Sequence, residues 1–230
     1  MILSVIIPVY NEEKTVLEMI ERVRHCGVEQ LQIIVVNDCS SDGTRQRLDS
    51  LPASDDLTII HHEINQGKGA AIRSAQSLVK GDAVVIQDAD LEYSPSEFPG
   101  MLAFIENGKA DAVYGSRYSG STTLVDTFWH YYGNKLITGF FNLVANLHLT
   151  DMETCYKMIR SEIFKSLKLT SNRFGIEPEI SARLVKCRCR IYEIPIEYAP
   201  RLGNQGKKIG WKDGVAAIWH ILKFNLLERS

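Results

Sequence analysis

Short apolar runs rich in Val and Ile recur at residues 3–9, 31–36, 57–60, 83–86 and 112–114. Strands this uniformly apolar have to be covered on both faces, which is the situation of a parallel sheet lying between layers of helices. Helical patterns fall between the runs, around residues 12–25, 43–50, 67–79 and 95–107. Strand and helix alternating in this way predict right-handed crossovers and a largely parallel sheet. The expectation is therefore an α/β protein. Its 230 residues, with no evident linker or internal repeat, fit one domain with a C-terminal excursion.

Sheets of this kind bind ligands beyond the carboxyl ends of their strands. The residues at those ends are Tyr10-Asn11-Glu12, Asn37-Asp38, the stretch Asn65 to Gly69, Asp88-Ala89-Asp90 and Gly115-Ser116-Arg117, and together they make one polar rim. Asp88 and Asp90 leave the fourth run with one residue between them, and their mutual repulsion would raise a pKa unless a cation neutralises them. Oxygen donors without a nearby His or Cys point to Mg²⁺ or Mn²⁺, ions that keep positions open for the oxygens of a diphosphate. An aspartate after a strand also serves as a turn former, but here Ser94 and Ser96 suit that task better.

Asp38 is expected to stand free at its strand end, where a carboxylate accepts N–H bonds from a uracil or a guanine edge alike. Asp42 or Ser41 reads as a helix N-cap. Gly67-Lys68-Gly69 supplies backbone N–H groups ahead of a helix, which suits an anion; a plain tight turn explains it equally well. The P-loop spacing is absent, and no G-x-G-x-x-G follows the first strand, which removes the main signal for dinucleotide chemistry. A formal charge of -2 argues against a nucleic-acid partner held by a basic field. The five scattered cysteines, with no signal peptide evident, read as reduced cytosolic thiols, and Cys187-Arg-Cys189 lacks the further ligands of a zinc site.

With these residues in place, the first half of the chain resembles the family 2 glycosyltransferases of GT-A (Rossmann-like) fold, through "SVIIPVYNEE", "VVNDCSSDGT", "NQGKGAA", "QDADLEY" and "VYGSR" in that order. The segments "TDMETCYKMIR", "FGIEPEI", "EIPIEYAPR" and "GKKIGWKDG" extend the likeness to the polyprenyl-phosphate hexosyltransferases of the dolichol-phosphate mannose synthase type. Two positions depart from the pattern: Asn37-Asp38 stands where paired acids are usual, and Cys155 where many relatives have Gly. The resemblance implies that Pro8, Tyr10, Glu12 and Asp38 contact the nucleotide; Lys68, from the loop that suits an anion, is a further candidate for binding the same ligand. It implies a metal on Asp88 and Asp90, with Glu92 as a third ligand, and transfer with inversion. Residues 1–117 would form the nucleotide-sugar and metal half, and residues 118–230 the acceptor half.

Two acceptors divide the expectations. A sugar hydroxyl needs a carboxylate to remove its proton, and Asp151 lies where relatives using hydroxyl acceptors place that base. A lipid phosphate, largely dianionic at neutral pH, needs cations to hold it rather than a base. Arg117 and Arg201 are the stronger candidates for that task, whereas Lys207 and Lys208 read equally as solvated charge. Glu177 and Glu179 read as first-turn acids of a helix, and the resemblance adds a sugar or acceptor contact for Glu177.

The leading reading is transfer of a hexose from a GDP- or UDP-sugar to a polyprenyl phosphate, with Asp90, Arg117 and Asp151 closest to the chemistry; the hydroxyl-acceptor enzyme is its rival. A sugar-phosphate nucleotidyltransferase would want a Gly- and Arg-rich loop after the first strand, and a receiver module would carry its acidic pair there. In residues 128–149, Trp129, Tyr132, Leu136, Phe140, Leu143 and Leu147 recur at helical spacing, interrupted by Asn134, Asn142 and Asn146. That pattern predicts an amphipathic helix, packed on the sheet or lying among lipid headgroups, rather than a membrane span. A second stripe, Val215, Ile218, Trp219, Leu222 and Leu226, adjoins a cationic tail. A cytoplasmic enzyme peripheral at the cytosolic membrane face, or docked on a membrane protein, is the expected setting.

Overall fold

A computed structural model of the chain describes residues 1–120, 127–200 and 211–228. Its strands are β1 (Leu3–Val9), β2 (Leu31–Asn37), β3 (Leu57–His61), β4 (Ala83–Ile86), β5 (Ala112–Ser116), β6 (Lys157–Arg160) and β7 (Ile191–Pro195). They join in one sheet of order β3-β2-β1-β4-β6-β5-β7. β1 pairs in parallel with β2 and with β4, placing Ile6 beside Ile34 on one side and Ile86 on the other. All of these side chains are fully buried or nearly so, which is why the sequence runs apolar without alternation. The exception to parallel pairing is β6, antiparallel to both of its neighbours β4 and β5. Strands from both halves of the chain thus share one sheet, and the second half inserts β6 into its middle.

The helices are α1 (Val16–Arg24), α2 (Thr44–Asp49), α3 (Lys68–Gln76), α4 (Phe98–Glu106), α5 (Phe128–Ala145), α6 (Ser161–Ser166), α7 (Ile176–Lys186) and α8 (Trp211–Leu222). α8 continues as a π-helical turn, Lys223–Leu227. α1 shows how the covering layer is specified: Val16, Met19, Ile20 and Val23, at i, i+3, i+4 and i+7, are buried, while Glu18 and Arg22 pair at 2.6 Å on the outer face. α5 ends at Asn146 in the left-handed conformation, with φ of 54°.

A second, smaller core lies away from the sheet, where Phe141, Met152, Ala182, Ile221 and Phe224 join α5, α7 and the C-terminal helix. α5 therefore has two apolar faces. One packs into this core through Phe141, Ile137, Phe140 and Val144; the other leaves Trp129 82% and Leu143 80% exposed. On α8, Val215, Ile218 and Trp219 are exposed as well. Among the described residues, no helix is long and apolar enough to cross a membrane.

Candidate active site

The carboxyl ends of β1, β2, β4 and β5 bring Tyr10, Asp38, Asp88 and Arg117 to one edge of the sheet. Tyr10 is half exposed and Pro8, still within β1, is partly buried; Glu12 accepts from the Thr15 hydroxyl at 2.7 Å, and its backbone N–H donates to Thr44 Oγ1.

Asp38 departs from the sequence expectation of a free carboxylate. It is buried: Oδ1 meets His62 Nδ1 at 2.7 Å and accepts from Gln66 N at 2.9 Å, while Oδ2 accepts from Gly67 N at 2.6 Å. A carboxylate buried at a strand end has to satisfy its lone pairs within the protein, and here the loop preceding α3 does so. The same bonds change the role of the Gly67-Lys68-Gly69 turn. The Gly67 N–H, one of those expected to face an anion, goes to Asp38, and the Ala70 N–H just beyond the turn goes to Asn172 O at 3.0 Å. Gly67 has φ of 98°, and a side chain there would run 2.5 Å from Asn172 O; both demand glycine. Asp42 and Ser41, expected as the N-cap of a helix, fall just short of that position: the N-cap of α2 is Gly43, and Asp42 Oδ1 accepts the Thr44 N–H at 3.0 Å from one residue further out.

Beyond β4, Asp88 is held by Lys68, whose Nζ lies 2.8 Å from one carboxylate oxygen and 2.9 Å from the other. Lys68 also reaches Glu177 Oε1 at 3.1 Å, and Glu177 Oε2 accepts from the fully buried Lys157 at 2.7 Å. Lys157 donates in addition to Thr154 O. The result is a chain of alternating charge, Asp88–Lys68–Glu177–Lys157, half-buried at Asp88 and Lys68 and buried at Glu177 and Lys157. Sequence reasoning placed Glu177 by its helix dipole; its burial beside two lysines is a stronger constraint. Glu179, fully buried two residues on, accepts from Thr170 N, Ser171 N and Arg183, and so fixes the segment that supports Gly67 and Gly69.

Asp90 accepts from Glu92 N at 3.2 Å, and Leu91 between them has φ of 64°. Glu92 Oε2 accepts the Tyr198 hydroxyl at 2.8 Å, and Ala199 N donates to Glu92 O. The segment after β7 is thereby laced to the acidic loop, and the Tyr93 ring makes tilted contacts with the rings of Tyr156 and Tyr198, at 4.8 and 5.2 Å. Does this donor set fit a metal? Among the described residues, no three His, Cys, Asp or Glu side chains gather into a ligand cluster, so the expected triad of Asp88, Asp90 and Glu92 is not assembled by the protein alone. Two carboxylates on one short loop, with Asp88 already holding a cation across both oxygens, do fit a hard divalent ion that draws its other oxygens from a ligand and water.

Asp151 is fully buried and forks onto Arg117: Oδ2 accepts from Nε at 2.7 Å and from the Arg117 backbone N–H at 3.1 Å, and Oδ1 accepts from Nη2 at 2.8 Å. Asn134, buried in α5, donates to Oδ1 at 3.3 Å. Burial alone would raise its pKa, but the charge and hydrogen bonds of Arg117 hold the carboxyl below the ordinary range. Arg117 is in turn stacked between the rings of Tyr118 and Tyr198, at 5.5 and 5.3 Å. Arg201, Lys207 and Lys208 lie outside the described residues.

Several contributors were not anticipated. Lys157, Glu153 and Glu193 are charged groups of the second half, and Glu193 accepts from the N–H groups of Thr150 and Asp151, fixing the backbone that presents Asp151. The Oε1 of Glu153 is sealed from solvent without a hydrogen-bond partner, and burial pushes its pKa up to about 7. The available signal was Lys157 itself, a lone charge inside the apolar run "CYKMI".

Comparison with known proteins agrees with this architecture. A glucosyl-3-phosphoglycerate synthase from Mycobacterium tuberculosis, crystallised with Mn²⁺, UDP and phosphoglyceric acid, superposes with a TM-score of 0.75 at 19% identity, covering 99% of this chain and 80% of that one. The likeness concerns the fold, which is GT-A: a mostly parallel central sheet flanked by helices. An undecaprenyl-phosphate mannosyltransferase of Micrococcus luteus is 28% identical over 235 residues, 97% of this chain and 94% of that protein. A dolichol-phosphate mannosyltransferase of Pyrococcus furiosus is 28% identical over 216 residues, and a low-salt glycan biosynthesis hexosyltransferase of Haloferax volcanii 28% over 231. The alignments include 90% and 98% of this chain, which spans only 59% and 53% of those two longer relatives. Residues 4–168, from the first strand through the acidic loop and the Arg117–Asp151 pair, match the model for glycosyl transferase family 2, and the chain belongs to that family.

Proposed function

We propose that the protein transfers a hexose, with inversion, from a GDP- or UDP-sugar to a polyprenyl phosphate at the cytosolic face of a membrane. The observation that carries the choice of acceptor is the Asp151–Arg117 fork. Both oxygens of Asp151 are engaged by a guanidinium that is always charged, and its pKa is held down, so it is a poor proton acceptor at neutral pH. A hydroxyl nucleophile would need such an acceptor. A phosphate monoester, already largely dianionic, attacks without one.

In this reading Tyr10, Glu12 and the Asp38 loop border the nucleotide, and Pro8 sets the end of β1 beneath it. Asp88 and Asp90 would hold Mg²⁺ or Mn²⁺, with Glu92 steadying the loop through Tyr198. Such an ion supplies Lewis-acid neutralisation of the departing nucleoside diphosphate. Arg117, locked by Asp151 and two tyrosine rings, places a fixed positive charge beside the acceptor phosphate, and Arg201, Lys207 and Lys208 add further cations. Glu177, through Lys68, orders the donor side.

The exposed face of α5 and α8 supports the membrane setting. Trp129, Tyr132, Leu136, Trp219 and Leu226 are all about half exposed or more, and aromatic residues of this kind favour the headgroup region. The similarity to an undecaprenyl-phosphate mannosyltransferase supports the same setting. The test is direct: purified protein is incubated with GDP- and UDP-hexoses, Mn²⁺, and either undecaprenyl phosphate or a glycan bearing free hydroxyls. Product on the lipid phosphate alone is expected. Product confined to the hydroxyl acceptor overturns the proposal.

A further inference from the structure

Lys68 holds a position that the proposed site otherwise requires for an ion. Its ammonium sits across both oxygens of Asp88, at 2.8 and 2.9 Å, and so occupies a lone pair on each of the oxygens through which Asp88 would ligate a metal. A monovalent and a divalent cation sharing one half-buried carboxylate repel strongly in that setting. That repulsion favours displacing Lys68 as the ion arrives.

The structure also contains the place to which Lys68 can move. Glu177 Oε1 is already 3.1 Å from Nζ, and the other oxygen of Glu177 is anchored at 2.7 Å by Lys157, which is fully buried and cannot follow. Lys68 thus lies between two carboxylates, one at the mouth of the site and one at its back. The Asp88 side chain is 24% exposed and that of Glu177 5%, so Asp88 is the one an incoming ion reaches. Because α3 begins at Lys68, its backbone is fixed by the bonds of Gly67 and Ala70, and the exchange is confined to the side chain.

We propose that Lys68 is a built-in counter-cation of Asp88 that must be handed to Glu177, or to the diphosphate of the donor, before a divalent ion can bind. Metal and diphosphate are then coupled through this one side chain: the diphosphate offers Lys68 a second acceptor and so releases Asp88 to the metal. The inference rests on the reading of Asp88 and Asp90 as the metal-holding pair. By linkage the effect is reciprocal, and couplings of this kind usually amount to about 5- to 150-fold in affinity.

The test measures Mn²⁺ binding by the full chain from the free-ion electron paramagnetic resonance signal, with and without UDP or GDP, on protein whose fold is verified by circular dichroism. In the native chain Mn²⁺ alone should bind weakly, and the nucleoside diphosphate should tighten it. Lys68→Gln should bind Mn²⁺ alone about tenfold more tightly and lose most of the diphosphate's effect. Glu177→Gln, which removes the receiving carboxylate, should move the other way and weaken Mn²⁺ alone. Unchanged Mn²⁺ affinity in both variants, with Asp88→Asn abolishing binding, overturns the role of Lys68 and leaves the metal site standing. If Asp88→Asn binds Mn²⁺ as well as the native chain in the presence of diphosphate, the metal site itself is misassigned and the inference falls with it.

Discussion

Replacing Asp151 by Asn separates a structural counter-ion from a catalytic base, because the two roles predict opposite pairs of outcomes. The carboxylate is fully buried, the Arg117 side chain is 9% exposed, and three N–H groups of Arg117 converge on the two oxygens within 3.1 Å. Asparagine keeps one acceptor oxygen but turns an NH₂ toward the guanidinium, leaving a buried charge without its partner. Breaking a buried pair on one side costs about 3–5 kcal/mol. In a chain of this size each kcal/mol moves Tm by roughly 2–4 °C, so Asp151→Asn should lower Tm by about 6–20 °C. Adding Arg117→Met should recover part of that loss, since the orphaned charge is then gone; neighbours in one network couple by roughly 0.5–3 kcal/mol.

Below its own Tm, Asp151→Asn should retain transfer to undecaprenyl phosphate to within about tenfold, whereas loss of a general base costs about 10²–10⁴. The pH dependence follows from the depressed pKa. Stability from this carboxylate is complete above the ordinary Asp value of about 3.9 and is lost only as pH falls through the lower folded-state value. The Tm gap between native and variant should therefore stay constant from pH 6 to 8. Differential scanning fluorimetry and a radiolabelled-sugar transfer assay supply both readouts. A variant that melts like the native protein yet has lost transfer by a hundredfold or more would refute the counter-ion role and restore the hydroxyl-acceptor mechanism.

Gly67→Ala forces a side chain into a backbone region nearly reserved for glycine and against Asn172 O, and should cost about 1–3 kcal/mol by chemical denaturation while weakening donor binding; native-like stability would show that the 171–172 segment yields easily. Glu153 has its pKa raised by burial to about 7, so its unfolded form releases a proton first and native stability declines as pH rises from its ordinary value of 4.5 through 7. Glu153→Gln should therefore stabilise the protein more at pH 8 than at pH 5, by up to about 3 kcal/mol, and an equal gain at both pH values would contradict the buried-charge assignment. Trp129→Glu, Leu136→Glu and Trp219→Glu together should leave Tm nearly unchanged, because the three side chains are 82, 74 and 56% exposed. The same variant should lose at least about a hundredfold in affinity for anionic vesicles, each lost apolar insertion being worth about 1.5 kcal/mol, and undiminished flotation with vesicles would place the membrane contact elsewhere.

The strands that were legible from sequence are those whose cause is local. β1, β2 and β4 are buried on both faces, and a continuous apolar run is sufficient evidence for them. β6 and β7 gave no such signal. β6 spans four residues and carries Lys157, a charge tolerated only because Glu177 comes to meet it from α7; β7 is a partly exposed edge strand whose middle residue, Glu193, is used to bond Thr150 and Asp151.

The candidate site divides in the same way. Which residues stand at the strand ends could be read from spacing, but whether they face a ligand or one another could not. Asp38 and His62 are 24 residues apart, Arg117 and Asp151 are 34, and in both pairs the buried partner decides the role of the carboxylate. A strand-end acid is an expensive group to bury, so the protein either supplies it with an internal cation or donor or leaves it for an external one. Asp38 and Asp151 are satisfied internally. Asp88 alone is held by a side chain that has an alternative partner, Glu177, within 3.1 Å. That difference in replaceability, invisible in the sequence, is what singles out Asp88 among the three as the carboxylate able to exchange its counter-ion during a reaction cycle.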